Sequence, residues 1–181
     1  MRILFLTLTL FALFAFAPAS YAQELSAEHQ QIKEKAIAGD ADAQFAFGKH
    51  ILDGVKLSEF VSKKERVFES LKWFDMAAKQ GHADAQYIAG YLRISKVNDD
   101  KTKQEMAQAA KEAYGWFAAA NAQNNQAASK IFTAMQEGME KRKPEQKELL
   151  SAEELESTAK EYIALYVTPF QDNKTKQEST E

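Results

Sequence analysis

From residue 27 to about residue 166, apolar side chains return every third or fourth position, the period that lines them along one face of a helix. Val67, Leu71, Phe74 and Ala78 recur at steps of four, three and four, and Trp73 and Ala77 widen that stripe. Leu155, Ala159, Tyr162 and Ile163 form another stripe, behind a capping box at Ser151 and Glu154. Punctuation separates the stripes. Gly39 and Gly81 stop two helices where a left-handed residue costs least, and Asn124-Asn125 stands at the corresponding place later on. Asp40 is the expected N-cap of the helix that follows Gly39. The pattern predicts helices over about 26–38, 41–53, 64–80, 83–95, 104–122, 127–138 and 151–166, with loops over 55–63 and 96–103.

One stretch of this pattern is written twice. Ala36-Ile-Ala-Gly39-Asp40-Ala-Asp42-Ala43-Gln44-Phe45-Ala-Phe47-Gly48 returns as Ala78-Lys-Gln-Gly81-His82-Ala-Asp84-Ala85-Gln86-Tyr87-Ile-Ala89-Gly90, at a constant offset of 42 residues. Trp73-Phe74 returns as Trp116-Phe117, 43 residues on, and Ala127-Ala128 opens a degenerate third copy. Self-similarity at this period marks a solenoid of stacked helix pairs. The fold class expected is therefore all-α, an α-solenoid of two to three repeats with terminal capping helices. Gly48 and Gly90 fall inside helices, where glycine costs about 1 kcal/mol relative to alanine. Close approach of a neighbouring helix, through small residues such as Ala77, Ala78, Ala89 and Ala120, is the expected offset. Trp73→Ala is expected to cost about 3–5 kcal/mol, as a buried large aromatic.

Composition changes the picture at the N-terminus. Arg2 precedes an apolar run over Ile3–Phe16, Pro18 breaks it, and Ser20-Tyr21-Ala22 is a small-x-small pattern. These residues read as a secretory signal peptide cleaved near Ala22, too short to cross a bilayer comfortably. The chain has 181 residues, no cysteine and a net charge of −3, one unit more negative once Arg2 leaves with the leader. Without cysteine there is no lipid anchor on that residue and no disulfide. An acidic chain with no clustered basic face argues against a nucleic-acid partner. The domains expected are a signal peptide over 1–22, a repeat domain over 23–138, a linker and capping helix over 139–170, and a disordered tail over 171–181.

The alanine, glutamine and glycine positions of the two copies, with Trp73-Phe-Asp-Met-Ala77-Ala78-Lys-Gln80-Gly81, resemble the Sel1-like repeat, a relative of the tetratricopeptide repeat. The resemblance covers about residues 36–128. It departs from the family in its longer connections at 55–63 and 96–103, and in a third copy without glycines. The resemblance implies a superhelix that scaffolds protein complexes and, in secreted bacterial members, adaptor, regulator or inhibitor roles in the cell envelope.

Candidate chemistry is thin. His29, His50 and His82 are the only histidines, and none pairs with another at i, i+4 as a zinc helix requires. Ser157-Thr-Ala-Lys160 matches Ser-x-x-Lys of penicillin-interacting enzymes, but the companion motifs Ser-Asp-Asn and Lys-Thr-Gly are missing. Asp99-Asp100 reads as a solvated turn, and Lys141-Arg142-Lys143 as an exposed linker. No catalytic residue, metal or cofactor is expected. Taking Gly48 and Gly90 as facing the partner helix, positions −3, +1 and +4 should line a concave groove. These are Phe45, Lys49 and Leu52 in the first copy and Tyr87, Tyr91 and Ile94 in the second. The competing reading is that a terminal segment of the same chain covers them. The function expected is a periplasmic or secreted protein–protein interaction module holding another protein or peptide in that groove. The alternatives are a penicillin-binding or hydrolase activity at Ser157 and, within the binding class, an immunity protein against a toxin delivered to the periplasm.

Overall fold

The computed structural model describes residues 19–53, 62–95, 102–144 and 149–172. Residues 1–18, Asp99-Asp100 and the tail from 173 lie outside the described residues, so most of the expected leader does too. The fold is all-α and solenoid-like. Its helices are α1 (Ala19–Ile37), α2 (Ala41–Asp53), α3 (Lys63–Lys79), α4 (Ala83–Ser95), α5 (Lys103–Ala122), α6 (Gln126–Glu140) and α7 (Ala152–Tyr166). Successive helices pack on one another from α1 to α6, and α7 lies back on α5 and reaches α3. Among the described residues no helix is long and apolar enough to cross a membrane.

Three tight turns set the repeat. The chain turns left-handed at Gly39 (φ +100°), Gly81 (φ +85°) and Asn124 (φ +62°), the residue types that tolerate this region. After each, an amide reaches back five residues to close the helix: Asp40 to the Lys35 carbonyl (3.1 Å), His82 to Ala77 (3.2 Å) and Asn125 to Ala120 (3.1 Å). The same three residues then cap the next helix. The Ala43 amide donates to Asp40 Oδ1 (2.7 Å), the Ala85 amide to His82 Nδ1 (3.2 Å), and the Ala128 amide to Asn125 Oδ1 (2.9 Å). As an acceptor through Nδ1, His82 carries its proton on Nε2, which lies 3.5 Å from Asp42 Oδ1.

The repeated glutamines hold the layers together. Buried Gln44 donates to the Ala36 carbonyl (3.1 Å) and accepts from Gln80 (2.7 Å). Buried Gln86 repeats both contacts, to Ala78 (3.1 Å) and from Gln123 (2.8 Å), and adds a bond to the Tyr166 carbonyl at the end of α7 (3.0 Å). A buried amide is tolerated because its polar atoms are paired. Gln86→Ala leaves the Tyr166 carbonyl and the Gln123 side chain short of a partner, while the Ala78 carbonyl keeps the Gly81 amide, and is expected to cost about 1–3 kcal/mol. Gln44→Ala, which strands fewer groups, should cost less; urea denaturation of the two variants reads the difference.

Both helical glycines meet a neighbouring helix closely: Gly48 faces an aromatic ring rather than a small residue, and Gly90 faces a ring together with the backbone of Ala113. A Cβ built on Gly48 would stand 2.9 Å from Cε1 of Phe74, and one on Gly90 would stand 3.0 Å from Cε1 of Phe117. The second helix of each pair seats a phenylalanine on the glycine of the first. With Gln44 against Gln80 and Gly48 against Phe74, α2 and α3 run antiparallel; Gln86–Gln123 and Gly90–Phe117 give α4 and α5 the same sense.

The starts of α3 and α5 fall one residue earlier than expected, because capping boxes set them. Ser62 with Glu65 opens α3, and Thr102 with Glu105 opens α5. Helix α1 is described over Ala19–Ile37, so Ser26 lies within it and the expected cleavage after Ala22 would cut it. No glycine or proline interrupts residues 19–37.

Candidate functional site

The six groove residues separate by their angle from the glycine. At about 100° per residue, positions −3 and +4 lie only about 60° and 40° from the glycine's direction, while +1 lies about 100° away. Residues at −3 and +4 therefore wrap the seated phenylalanine, and the residue at +1 points off it. The structure follows this in both copies. Phe45 and Leu52 are half-buried and pack on the cluster that contains Phe74, with the Phe45 ring 5.7 Å from that of Phe74. Tyr87 and Ile94 are half-buried beside Phe117, with the Tyr87 ring 6.2 Å from it and Ile131 and Met135 of α6 in the same cluster. Lys49 is exposed, and Tyr91 is 46% exposed.

Two features couple these residues locally. The Lys49 ammonium stands 5.6 Å from the centre of the Phe45 ring, within range of a cation–π contact. The Tyr87 and Tyr91 rings, one turn apart, are 6.3 Å between centres. The Phe45 ring also lies 4.4 Å from that of His82, which ties the first copy's groove residue to the turn that opens the second.

Helix α7 goes to the other side of the pairs. Its Tyr162 and Tyr166 rings enclose Trp116 at 4.8 and 5.0 Å. A Cβ on Gly115 would stand 2.7 Å from the Tyr162 ring, and one on Gly81 would stand 2.7 Å from the ring of Phe170 just beyond α7. Tyr114 donates its hydroxyl to Glu156 (3.0 Å), and burial together with that carboxylate pushes the phenol up to about 12. Burial likewise pushes Tyr162 up to about 12. Both hydroxyls therefore stay protonated throughout the neutral range.

Sequence reasoning missed Arg93. Its guanidinium grips Asp75 with two bonds (2.8 and 2.9 Å) and donates Nε to Glu112 (2.8 Å), tying α3, α4 and α5 together. Burial alone would lower its pKa, but the hydrogen bonds and charges of Asp75 and Glu112 win and raise it. The one available signal was a broken repeat: 42 residues earlier stands Ile51, a core residue. A groove of about 320 Å³ beside this network is lined by Phe68, Leu71, Arg93, Ala109 and Glu112, among others. Ser157 and Lys160 are both exposed on α7. Among the described residues no group of three or more metal-ligating side chains is gathered.

No family model, no curated protein and no solved structure matches the chain.

Proposed function

We propose that this chain is an exported helical-repeat protein of the Sel1-like kind, which binds another protein through the outer face of α2 and α4 in the cell envelope. The observation that carries this reading is the destination of α7. The chain's own terminal helix packs on α5 and reaches α3, the second helices of the pairs. Lys49 and Tyr91, at matching positions of the two first helices, are left exposed. Support also comes from the repeat itself, since solenoids present extended faces for recognition. Tyrosine buries a large flat area with few rotors to freeze, and is enriched among residues that dominate binding energy. The leader-like residues 1–22 support an envelope location, and the resemblance to the Sel1-like repeat supports an adaptor, regulator or inhibitor role.

The test is recovery of a partner from an envelope extract on immobilised protein, wild type against Lys49→Ala/Tyr91→Ala. The expected result is a specific partner whose affinity falls about thirtyfold in the variant, a hot-spot effect of about 2 kcal/mol. Both side chains are exposed, so the melting temperature should hold. Equal recovery by wild type and variant would move the site elsewhere. No specific partner for a folded wild type would count against the whole reading.

A further inference from the structure

We propose that a stacked pair of imidazoles, His29 on α1 and His50 on α2, is a proton-sensitive latch that holds the N-terminal helix on the first helix pair. The two rings lie 4.5 Å apart between centres and are inclined by only 18°, and His29 meets Phe47 edge-on at 5.9 Å. His29 Nε2 and His50 Nδ1 are both buried and have no hydrogen-bond partner among the described residues. A neutral ring can leave one nitrogen unpaired at modest cost. An imidazolium presents two N–H donors and a charge, and both need partners.

The repeat shows what the pair replaces. Forty-two residues on from His29 and His50 stand Leu71 and Leu92, both packed in the apolar cluster of the next layer. Titratable rings thus occupy, in the first layer, a seam that the second layer fills with leucine. Beneath them lies the cluster that docks α1: Ala36, Ala43, Phe47 and Ile51, with Ile32 and Trp73 at its edge.

The charges around His29 set the sign. Burial is the largest influence and lowers its pKa; His50 across the interface and Lys33 on α1 act the same way, and Glu28 on α1 opposes them. Trp73 is what α3 gives to the apolar cluster, and the charges that act on His29 are those of His50, Glu28 and Lys33. With the folded value below the ordinary one of about 6.5, the unfolded or undocked helix takes up the proton first. Docking of α1 is therefore at full strength above about pH 6.5 and weakens as pH falls through the lowered value. A charge on His29 would also lie against the face of the His50 ring, 4.5 Å away between centres. Helix α1 packs chiefly on α2, so its release is expected to be local.

Amide hydrogen exchange of the purified protein at about pH 7.5 and about pH 5, corrected for intrinsic rates, tests this. Peptides over 27–37 are expected to lose protection at the lower pH, while peptides over 103–122 keep theirs. In His29→Leu/His50→Leu, which writes the second layer's leucines into the first, the pH response of 27–37 should vanish. Protection of 27–37 that does not change with pH in the wild type would overturn the proposal. So would a loss shared equally with 103–122, or an unchanged response in the double variant. Should that variant not fold, the wild-type histidine C2 protons decide: a His29 that titrates at or above about 6.5 overturns the latch.

Discussion

Replacing Trp116 with alanine is expected to remove about 3–5 kcal/mol of stability, enough to consume much of a typical domain's reserve. At about 2–4 °C per kcal/mol for a chain of this size, thermal unfolding should show it without ambiguity. The ring is 2% exposed and packs with Phe74, Ala77, Ala78, Ala85, Ala89 and Leu92. Tyr162 and Tyr166 close over it from α7. Truncation therefore opens a cavity shared by both helix pairs and the terminal helix. Trp73 occupies the same place one repeat earlier but is only half-buried, with the Phe47 ring 4.9 Å away. Trp73→Ala should accordingly cost less, about 1–3 kcal/mol, below the value expected from sequence alone. The indole nitrogen of Trp116 is buried without an acceptor among the described residues. Trp116→Phe, which keeps most of the bulk and removes that donor, should recover much of the loss. A Trp116→Ala variant that melts with the wild type would mean that α7 does not seal the core.

Gly90→Leu should destabilise by overpacking, on the order of 1–3 kcal/mol or more. The first added carbon would stand 3.0 Å from Phe117 and 3.2 Å from the carbonyl oxygen of Ala113. Phe117 and Ala113 are both fully buried, so neither the ring nor the backbone has room to retreat. Gly138 supplies the control, since it lies in α6 with nothing within 4 Å of the carbon a side chain would add. There the same substitution should stabilise by up to about 1 kcal/mol, through helix propensity alone. Opposite signs at the two glycines, read by denaturant unfolding, separate close approach from backbone freedom. Equal effects would remove the seated phenylalanine from the account.

Legibility in the sequence followed the range of the interaction. The spans of α2 and α4, the left-handed turns at Gly39 and Gly81, the Asp40 cap and the capping box at Ser151 are all written in neighbouring residues. The 42-residue register adds the stacking of Gln44 and Gln86, because identical contacts need identical residues at identical offsets. What the repeat cannot carry is any contact made once. Gly115 has no counterpart glycine, and its need comes from Tyr162, 47 residues later. The Arg93 bridge to Asp75 and Glu112 is likewise unrepeated. The stripe on α7 says that one face is buried, and not which helices receive it. The half-burial of Phe45, Leu52, Tyr87 and Ile94 could have been anticipated, since it follows from their angles to the two glycines. The histidine stack could have been found only by aligning His29 and His50 with Leu71 and Leu92.

Another protein is expected to meet the face of the first helices rather than the face of α7. Site-specific photo-crosslinking in intact cells tests it directly, with a photoreactive amino acid at Tyr91 in one variant and at Leu165, an exposed apolar residue of α7, in the other. A discrete higher-mass adduct is expected from position 91 and none from position 165. An adduct from position 165 with none from position 91 would contradict it.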